Sequence, residues 1–187
     1  MGTVHSLESP HLALLRERLG AAEQARDDLI AFARGHSGAV ASIHRSVLAI
    51  LEAGGRPLAD IVIHDWPHIL GIDAASLVIV RGERAALASA AGSHPVDPAL
   101  VRKTLGADSP LVMRSVGRGH AMFGAVAKDI RAEALIRFDT PGGAWGVLLL
   151  GQKDALPVDP RRGAELLLFL GRTLGAMIDA WPIPTSD

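Results

Sequence analysis

The chain has 187 residues, close to the size of a single domain and long enough to bury a core. Hydrophobic residues make up 49% and charged residues 21%, which is typical of a globular protein rather than a disordered one. The 19 basic residues nearly balance the 20 acidic ones, and a net charge of -1 argues against nucleic-acid binding through bulk electrostatics. There is no cysteine, which excludes disulfides, thiol catalysis, thiolate metal sites and thioether-linked cofactors.

No segment predicts a location outside the cytoplasm. The longest apolar runs, 147–150 and 166–170, are far shorter than the roughly 18 residues that a membrane span needs. The N-terminus carries His5, Glu8 and Pro10 and lacks the basic start and apolar stretch of a secretory signal. We therefore expect a cytoplasmic protein that contacts neither membrane nor nucleic acid.

Residues 1–52 are predicted to form a helical, coiled-coil-like stem. Apolar residues recur there at alternating spacings of three and four, a heptad pattern typical of helices that pack along a seam. The apolar seam residues are Leu12, Leu15, Leu19, Ala22, Leu29, Ala33, Val40, Ile43, Val47 and Ile50, with Arg26 and His36 in the two remaining positions. Gly35 and Gly38 each cost about 1 kcal/mol inside a helix, so we expect a kink or break at 35–38. The seam either joins two copies or packs on the chain's own domain, and the sustained heptads favour the dimer.

A second helix is predicted over 58–70, after the helix-ending pair Gly54-Gly55. His64 and His68 lie four residues apart in it, a spacing that can place two imidazoles on one metal ion. Pro67 would disturb the helix that carries them, and no third ligand is evident. We therefore expect two exposed or packing histidines, with no metal and no cofactor.

The rest of the chain predicts strands and short helices. Strands are expected at 74–80, 85–90, 111–116, 132–139 and 145–151. Helices are expected at 95–106, with Asp97 as the cap and Pro98 at the first position, at 121–129, and from Pro160, capped by Asp159, to Trp181-Pro182. Tight turns at Gly82 and Pro141-Gly142 make the strands that they join antiparallel. This order indicates an α+β domain, an antiparallel sheet with helices on one face, that spans 53–182 and precedes a C-terminal tail at 183–187.

Six short segments carry a family resemblance. They are 23–33 (EQARDDLIAFA), 122–124 (MFG), 132–135 (AEAL), 146–154 (GVLLLGQKD), 163–167 (GAELL) and 169–170 (FL). Their order resembles a GAF-type sensor domain and, more narrowly, the bacterial GAF-like DUF484 family, over most of residues 12–181. The resemblance implies a GAF-like fold, a dimer and a sensor-like role, in a family without an established activity. Family members usually carry a further segment before the stem, so the resemblance implies that this segment is absent or truncated here.

Enzyme motifs are not found in the sequence. The segment 35–38 (GHSG) lacks the spacing of a nucleophile elbow, and Lys103-Thr104 follows no glycine-rich loop. Beside the GAF resemblance, the absence of Cys excludes methionine sulfoxide reduction by thiols and bilin attachment through Cys. The chain also has no Asn, which the motif of cyclic-nucleotide GAF domains requires. We expect a protein that is not an enzyme, and catalysis by His120 or His64 is the least favoured alternative.

The GAF resemblance places a ligand pocket between the sheet and residues 109–131. The candidate ligand-binding residues are Arg114, Arg118, His120, Met122, Phe123 and Arg137. The arginines and the histidine could hold an anion between apolar walls of Met and Phe. Core packing is the alternative for Phe123, and a surface ion pair with Asp139 or Glu133 is the alternative for Arg137. Trp145 is expected to cover its hairpin rather than to stack on a ligand.

The sequence therefore favours a non-enzymatic GAF-like regulatory module. We expect it to be a homodimer joined through the stem and the last helix, and to sense a small molecule or to dock a protein partner. The alternative is a scaffold whose pocket is filled by its own side chains. A cavity lined by Arg114, His120 and Arg137 would favour the sensor, and a solid core there would favour the scaffold.

Overall fold

The computed structural model describes residues 10–105, 109–154 and 163–178. The helices are α1 (Pro10–Leu51), α2 (Leu58–Asp60), a π-helical turn (Ile61–Asp65), α3 (Trp66–Leu70), α4 (Pro98–Leu105), a 3-10 segment (Ala121–Lys128) and α5 (Ala164–Ile178). The strands are β1 (Ala74–Arg81), β2 (Arg84–Ser89), β3 (Gly92–Val96), β4 (Leu111–Ser115), β5 (Ala132–Asp139) and β6 (Trp145–Gln152). The predicted cap at Asp159, the helix end at Trp181-Pro182 and the tail at 183–187 lie outside the described residues.

The chain divides into two units, Met1–Gly38 and Ala39–Asp187. The first unit is described as part of α1, which runs through residues 35–38, so the helix is not broken at Gly35 and Gly38, and a kink there stays a prediction. A glycine weakens a helix without forbidding it, because its cost of about 1 kcal/mol is small beside the hydrogen bonds of the surrounding turns. The second unit contains the C-terminal end of α1, the sheet and the other helices.

Six antiparallel strands form one sheet in the order β3-β2-β1-β6-β5-β4. The β1–β2 turn holds Gly82 at a φ of 58°, a left-handed conformation that favours glycine. The β5–β6 hairpin closes where the Thr140 N–H donates to the Ala144 carbonyl oxygen at 2.8 Å. Both hairpins lie where the sequence predicts tight turns, and β5 has the predicted bounds.

Strand β3 was not predicted from the sequence, which places a helix over 95–106. The helix α4 begins at Pro98, the predicted first position, and the Ala99 N–H donates to Asp97 Oδ1 at 2.8 Å in the predicted cap. Residues 92–96 instead pair with β2, with Pro95 opposite Ala86. Pro is tolerated on an edge strand, since one side of the strand needs no hydrogen-bond donor. Pairing with β2, rather than the propensity of Gly, Ser and Pro, makes this segment a strand.

Helices cover both faces of the sheet, which corrects the prediction that they lie on one face. We call first face the side whose core includes Leu77, Phe138 and Leu148, together with α1, the α2–α3 region and α5. We call second face the side whose core includes Val78, Leu135, Leu149, α4 and the 3-10 segment. Successive strand residues point to opposite faces, so strands covered on both sides become continuous apolar runs, as in β1 and β6.

The predicted helix over 58–70 contains a π-helical turn just before Pro67. Proline lacks an N–H and crowds the preceding turn, so the helical hydrogen-bond pattern widens there. The sequence predicts a disturbance of the helix at Pro67 but not its form. This region buries Trp66 completely, and its indole N–H donates to the Ser46 carbonyl oxygen of α1 at 2.9 Å. The bond attaches the C-terminal end of α1 to the first-face core.

Glycines in α5 allow the helix to lie directly on β5. A Cβ added at Gly171 would approach Ile136 Cγ2 to 2.6 Å, and one added at Gly175 would overlap the Asp139 carbonyl oxygen. Both glycines are buried. Backbone-to-backbone approach of this kind leaves no room for a methyl group, so α5 is fixed in position on the first face.

Candidate functional site

The candidate site lies on the second face, where the loop after β4 leads into the 3-10 segment. His120 has a φ of -59° and a ψ of 144° and caps this segment, because its Nδ1 accepts a hydrogen bond from the Met122 N–H at 3.2 Å. A histidine replaces the usual Ser, Asp or Asn in this role. The ring therefore participates directly in the backbone structure of the site.

A buried carboxylate organises the polar part of the site. Arg114 of β4 lies directly opposite Glu133 of β5, and its Nε and Nη2 donate to Glu133 Oε1 at 2.8 and 2.7 Å. The other oxygen, Oε2, accepts the His120 backbone N–H at 2.7 Å. The Glu133 side chain is 1% exposed and that of Arg114 is 46% exposed. Three donors thus satisfy the charge, which a buried carboxylate needs to avoid a large desolvation cost.

The His120 ring also reaches α4. Its Nε2 lies 3.4 Å from Thr104 Oγ1, whose hydroxyl donates to the Leu100 carbonyl oxygen at 3.0 Å. Burial lowers the pKa of His120, Arg114 lowers it further, and the negative charge of Glu133 opposes this shift. At pH 7 the neutral imidazole is therefore the favoured form of His120 in the folded chain.

Met122 and Phe123 are both buried in the second-face core. The Phe123 ring lies on β6 at Gly151, since a Cβ added at Gly151 would be 3.0 Å from Phe123 Cζ. Ile130 Cδ1 would be equally close. These side chains fill the space between the 3-10 segment and β6, which is the alternative that the sequence offered for Phe123.

The other two candidates are separate from this cluster. Arg118 is exposed in the loop before His120. Arg137 is exposed, pairs with Asp139 at 3.2 Å and lies over the Trp145 ring at 5.0 Å from its centroid. It is four residues beyond Glu133 on β5, about 13 Å along the strand. The structure thus joins Arg114 and His120 through Glu133, whereas Arg137 pairs with Asp139 and Arg118 is exposed.

Sequence reasoning did not identify Glu133 and Thr104 as members of this cluster. It considered Glu133 only as a partner for Arg137, whereas Glu133 pairs with Arg114. The available signal was an acidic residue in an otherwise apolar strand, which needs a buried partner. No sequence signal pointed to Thr104, which meets His120 only through the packing of α4.

A separate groove of about 160 Å³ lies toward the first face, beside the start of α5. Its apolar lining includes Ile72, Met113, Leu150 and Leu167. Of the six candidates, none lines it. Glu133 is among the lining residues, so the groove adjoins the polar cluster although it contains none of the six candidates.

The histidine pair of the second helix is exposed. His64 Nδ1 lies 3.0 Å from the Asp60 carbonyl oxygen, and Asp65 pairs with Arg56 at 2.7 Å. The hydrogen bond from the Arg56 guanidinium lowers the pKa of Asp65. Within residues 10–105, 109–154 and 163–178, no three His, Asp or Glu side chains are grouped as metal ligands would be. None of the described helices combines the length and hydropathy needed to cross a membrane.

Comparison with known proteins identifies relatives of this architecture. The model of DUF484, a family of unknown function, matches residues 1–183. The chain is similar in structure to the A. aeolicus nlh2 GAF domain in an inactive state, with 10% identity, a TM-score of 0.56, and coverage of 76% of this chain and 96% of that one. This likeness supports a GAF-like fold. No curated protein matches the chain.

Two further GAF domains are similar with lower TM-scores. One belongs to a two-component sensor histidine kinase from Bacillus halodurans, with 16% identity, a TM-score of 0.46, and coverage of 58% of this chain and 82% of that one. The other is the phycoerythrobilin-bound GAF domain of a cyanobacterial phytochrome, with 11% identity, a TM-score of 0.49, and coverage of 76% and 95%.

Proposed function

The chain belongs to the DUF484 family, and from that premise we propose that it is a non-enzymatic regulatory module that works as a homodimer. The N-terminal part of α1 joins the two copies, and the GAF-like domain senses a small molecule or docks a protein partner. The observation that carries this proposal is that the C-terminal part of the α1 seam is buried in the chain's own core, whereas Leu19, in the N-terminal part, is exposed.

The C-terminal part of the seam is used within the chain. Ile43 and Ile50 are 4% and 1% exposed, and Val47 packs against the same first-face core. These residues therefore pack on the chain's own domain, which was the alternative to pairing with a second copy. A coiled coil between copies cannot use the same side chains at the same time.

The N-terminal part of the seam has the opposite character. Leu19 is 61% exposed and Ala22 is also exposed. The side chains of Leu12, Leu15, Leu29 and Ala33 lie outside the described residues. A regular heptad pattern with an exposed leucine favours pairing with a second copy of the same helix, because pairing removes that apolar surface from water.

The C-terminal end of α1 is fixed to the core of the GAF-like domain. Trp66 bonds the Ser46 carbonyl oxygen from the first-face core, while Ile43 and Ile50 pack beside it. The exposed apolar residue Phe169 of α5 supports a contribution of the last helix to the interface, and Leu48 and Leu51 support a contribution of the end of α1.

The test is the mass of the full chain in solution at micromolar concentration, measured by light scattering. We expect a dimer for the unmodified chain and a monomer for Leu19→Glu, because a charge on the seam opposes pairing. Leu100→Glu is the matched control, since Leu100 is 53% exposed on α4. It should leave the dimer intact. A monomeric unmodified chain would contradict the proposal.

The packing of the second face favours a scaffold without a ligand as the second candidate. Met122 and Phe123 are 3% exposed, and Arg114 and Arg137 already pair with carboxylates. Native mass spectrometry of the protein purified from its source separates the two candidates. A retained small molecule would support the sensor, and its absence together with a stable co-purifying protein would support the scaffold.

A further inference from the structure

His120 connects α4 to the 3-10 segment through its two ring nitrogens. Nδ1 accepts the Met122 N–H, and Nε2 lies near Thr104 Oγ1. The only proton of the Thr104 hydroxyl goes to the Leu100 carbonyl oxygen, so Thr104 Oγ1 faces the ring as an acceptor. Both ring contacts are satisfied together by a neutral imidazole that carries its proton on Nε2 and by no other form.

We propose that His120 is an acid-sensitive latch, in which protonation of Nδ1 ends the Met122 hydrogen bond and releases the first turn of the 3-10 segment. The protonated ring has two donors and no acceptor, so the Met122 N–H loses its partner. That turn carries Met122 and Phe123, which are both buried, and Phe123 lies on β6 at Gly151. Release of the turn loosens the apolar packing on this face.

The groups that face His120 determine how the latch responds. Glu133 of β5 is negative and attracts the protonated ring, whereas Arg114 of β4 is positive and opposes it. From α4 the ring meets the uncharged Thr104, while the α4 cations Arg102 and Lys103 are exposed. Glu133 also holds the His120 backbone N–H, so the latch can open at the ring while the loop stays attached to β5.

The direction of the pH dependence follows from the pKa of His120, which lies below its ordinary value of 6.5 in the folded chain. As the pH falls, the unfolded chain binds the proton first, so stability falls with it. The contribution of the neutral ring is complete above about pH 6.5 and is lost as the pH falls through the lowered pKa.

The test is NMR of the full, isotope-labelled chain between pH 8 and pH 5. The imidazole nitrogens should report the Nε2–H form at pH 8. The hydrogen-exchange protection of the Met122 amide should fall as the pH approaches the pKa of His120 from above, by up to about tenfold per pH unit, because the protonated fraction rises by that factor, and it should level off below the pKa. In His120→Asn, the Asn Oδ1 can still accept the Met122 N–H but does not titrate, so the protection should be independent of pH.

Three results would overturn the latch. One is the Nδ1–H form at pH 8, which cannot accept the Met122 N–H. Another is Met122 protection in the unmodified chain that does not follow the ring titration. The third is an equal loss of protection in His120→Asn. The first two measurements use the unmodified chain alone, so they decide the question even if the variant does not fold.

Discussion

The first face of the sheet is covered by apolar side chains and by close backbone contact. The second face also has a buried carboxylate, that of Glu133 on β5, next to the edge strand β4. On the first face, α5 lies on β5 through Gly171 and Gly175, and Trp66 holds the end of α1. On the second face, Arg114, Glu133 and His120 link β4, β5 and the 3-10 segment by charged and directional contacts. Apolar packing changes little with pH, but a network that depends on the protonation of one ring responds to it. The two faces are therefore held by different kinds of contact, apolar packing on the first and charged, directional hydrogen bonds on the second.

The largest effect is expected from loss of the buried carboxylate. Glu133→Ala should lower the free energy of unfolding by about 3 kcal/mol, because it removes the charge-assisted hydrogen bonds from the half-exposed Arg114 and leaves the His120 N–H without its acceptor. Asp139→Ala removes the exposed partner of Arg137 and should cost less than about 1 kcal/mol. Urea denaturation at pH 7.5 measures both. Equal losses would show that the Glu133 network is no more important than a surface pair.

A smaller effect should result from filling the α5 contact on the first face. Gly175→Ala adds a methyl group against the Asp139 carbonyl oxygen and should destabilise the chain by about 2 kcal/mol, in spite of the better helix propensity of Ala. Gly20→Ala is the matched control, since a Cβ there meets nothing within 4 Å. It should raise helix stability by about 1 kcal/mol. Thermal unfolding followed by circular dichroism distinguishes them, and a stabilising Gly175→Ala would contradict the packing described for α5.

A still smaller effect is expected at the attachment of α1. Trp66→Phe keeps an aromatic ring in the first-face core but removes the N–H that donates to the Ser46 carbonyl oxygen. The net loss of one such bond is about 1 kcal/mol. Hydrogen exchange of the amides near Ile50 should increase more than exchange in β6. Unchanged exchange in α1 would mean that this bond does not hold the helix end in place.

Much of the fold could be predicted because its signals are local. Apolar runs bounded by Gly82 and by Pro141-Gly142 define two hairpins, and Asp97-Pro98 defines the start of α4. Strand β3 was missed, since its pairing with β2 overrides its own weak propensity. The use of both faces by the helices was missed as well, because continuous apolar runs in β1 and β6 do not say what covers each side.

Two residues of the candidate site were predicted from the sequence, but the residues that they bond to were not. Arg114 and His120 were identified, and they do lie together, but the carboxylate that joins them was considered as a partner for Arg137. Arg114 is 19 residues from Glu133, and Thr104 is 16 from His120. Such contacts depend on strand register and on helix packing, which no local pattern in one sequence specifies.

The central claim is that the exposed part of the α1 seam joins two copies of the chain, and the absence of cysteine allows a direct test. In Ala22→Cys the only thiol lies on the seam, whereas in Glu17→Cys it lies on the opposite side of the helix. Mild oxidation of the full chain, read on a non-reducing gel, should cross-link most of Ala22→Cys into a covalent dimer and little of Glu17→Cys. Equal cross-linking of the two variants, or none in Ala22→Cys, would contradict a dimer formed along this seam.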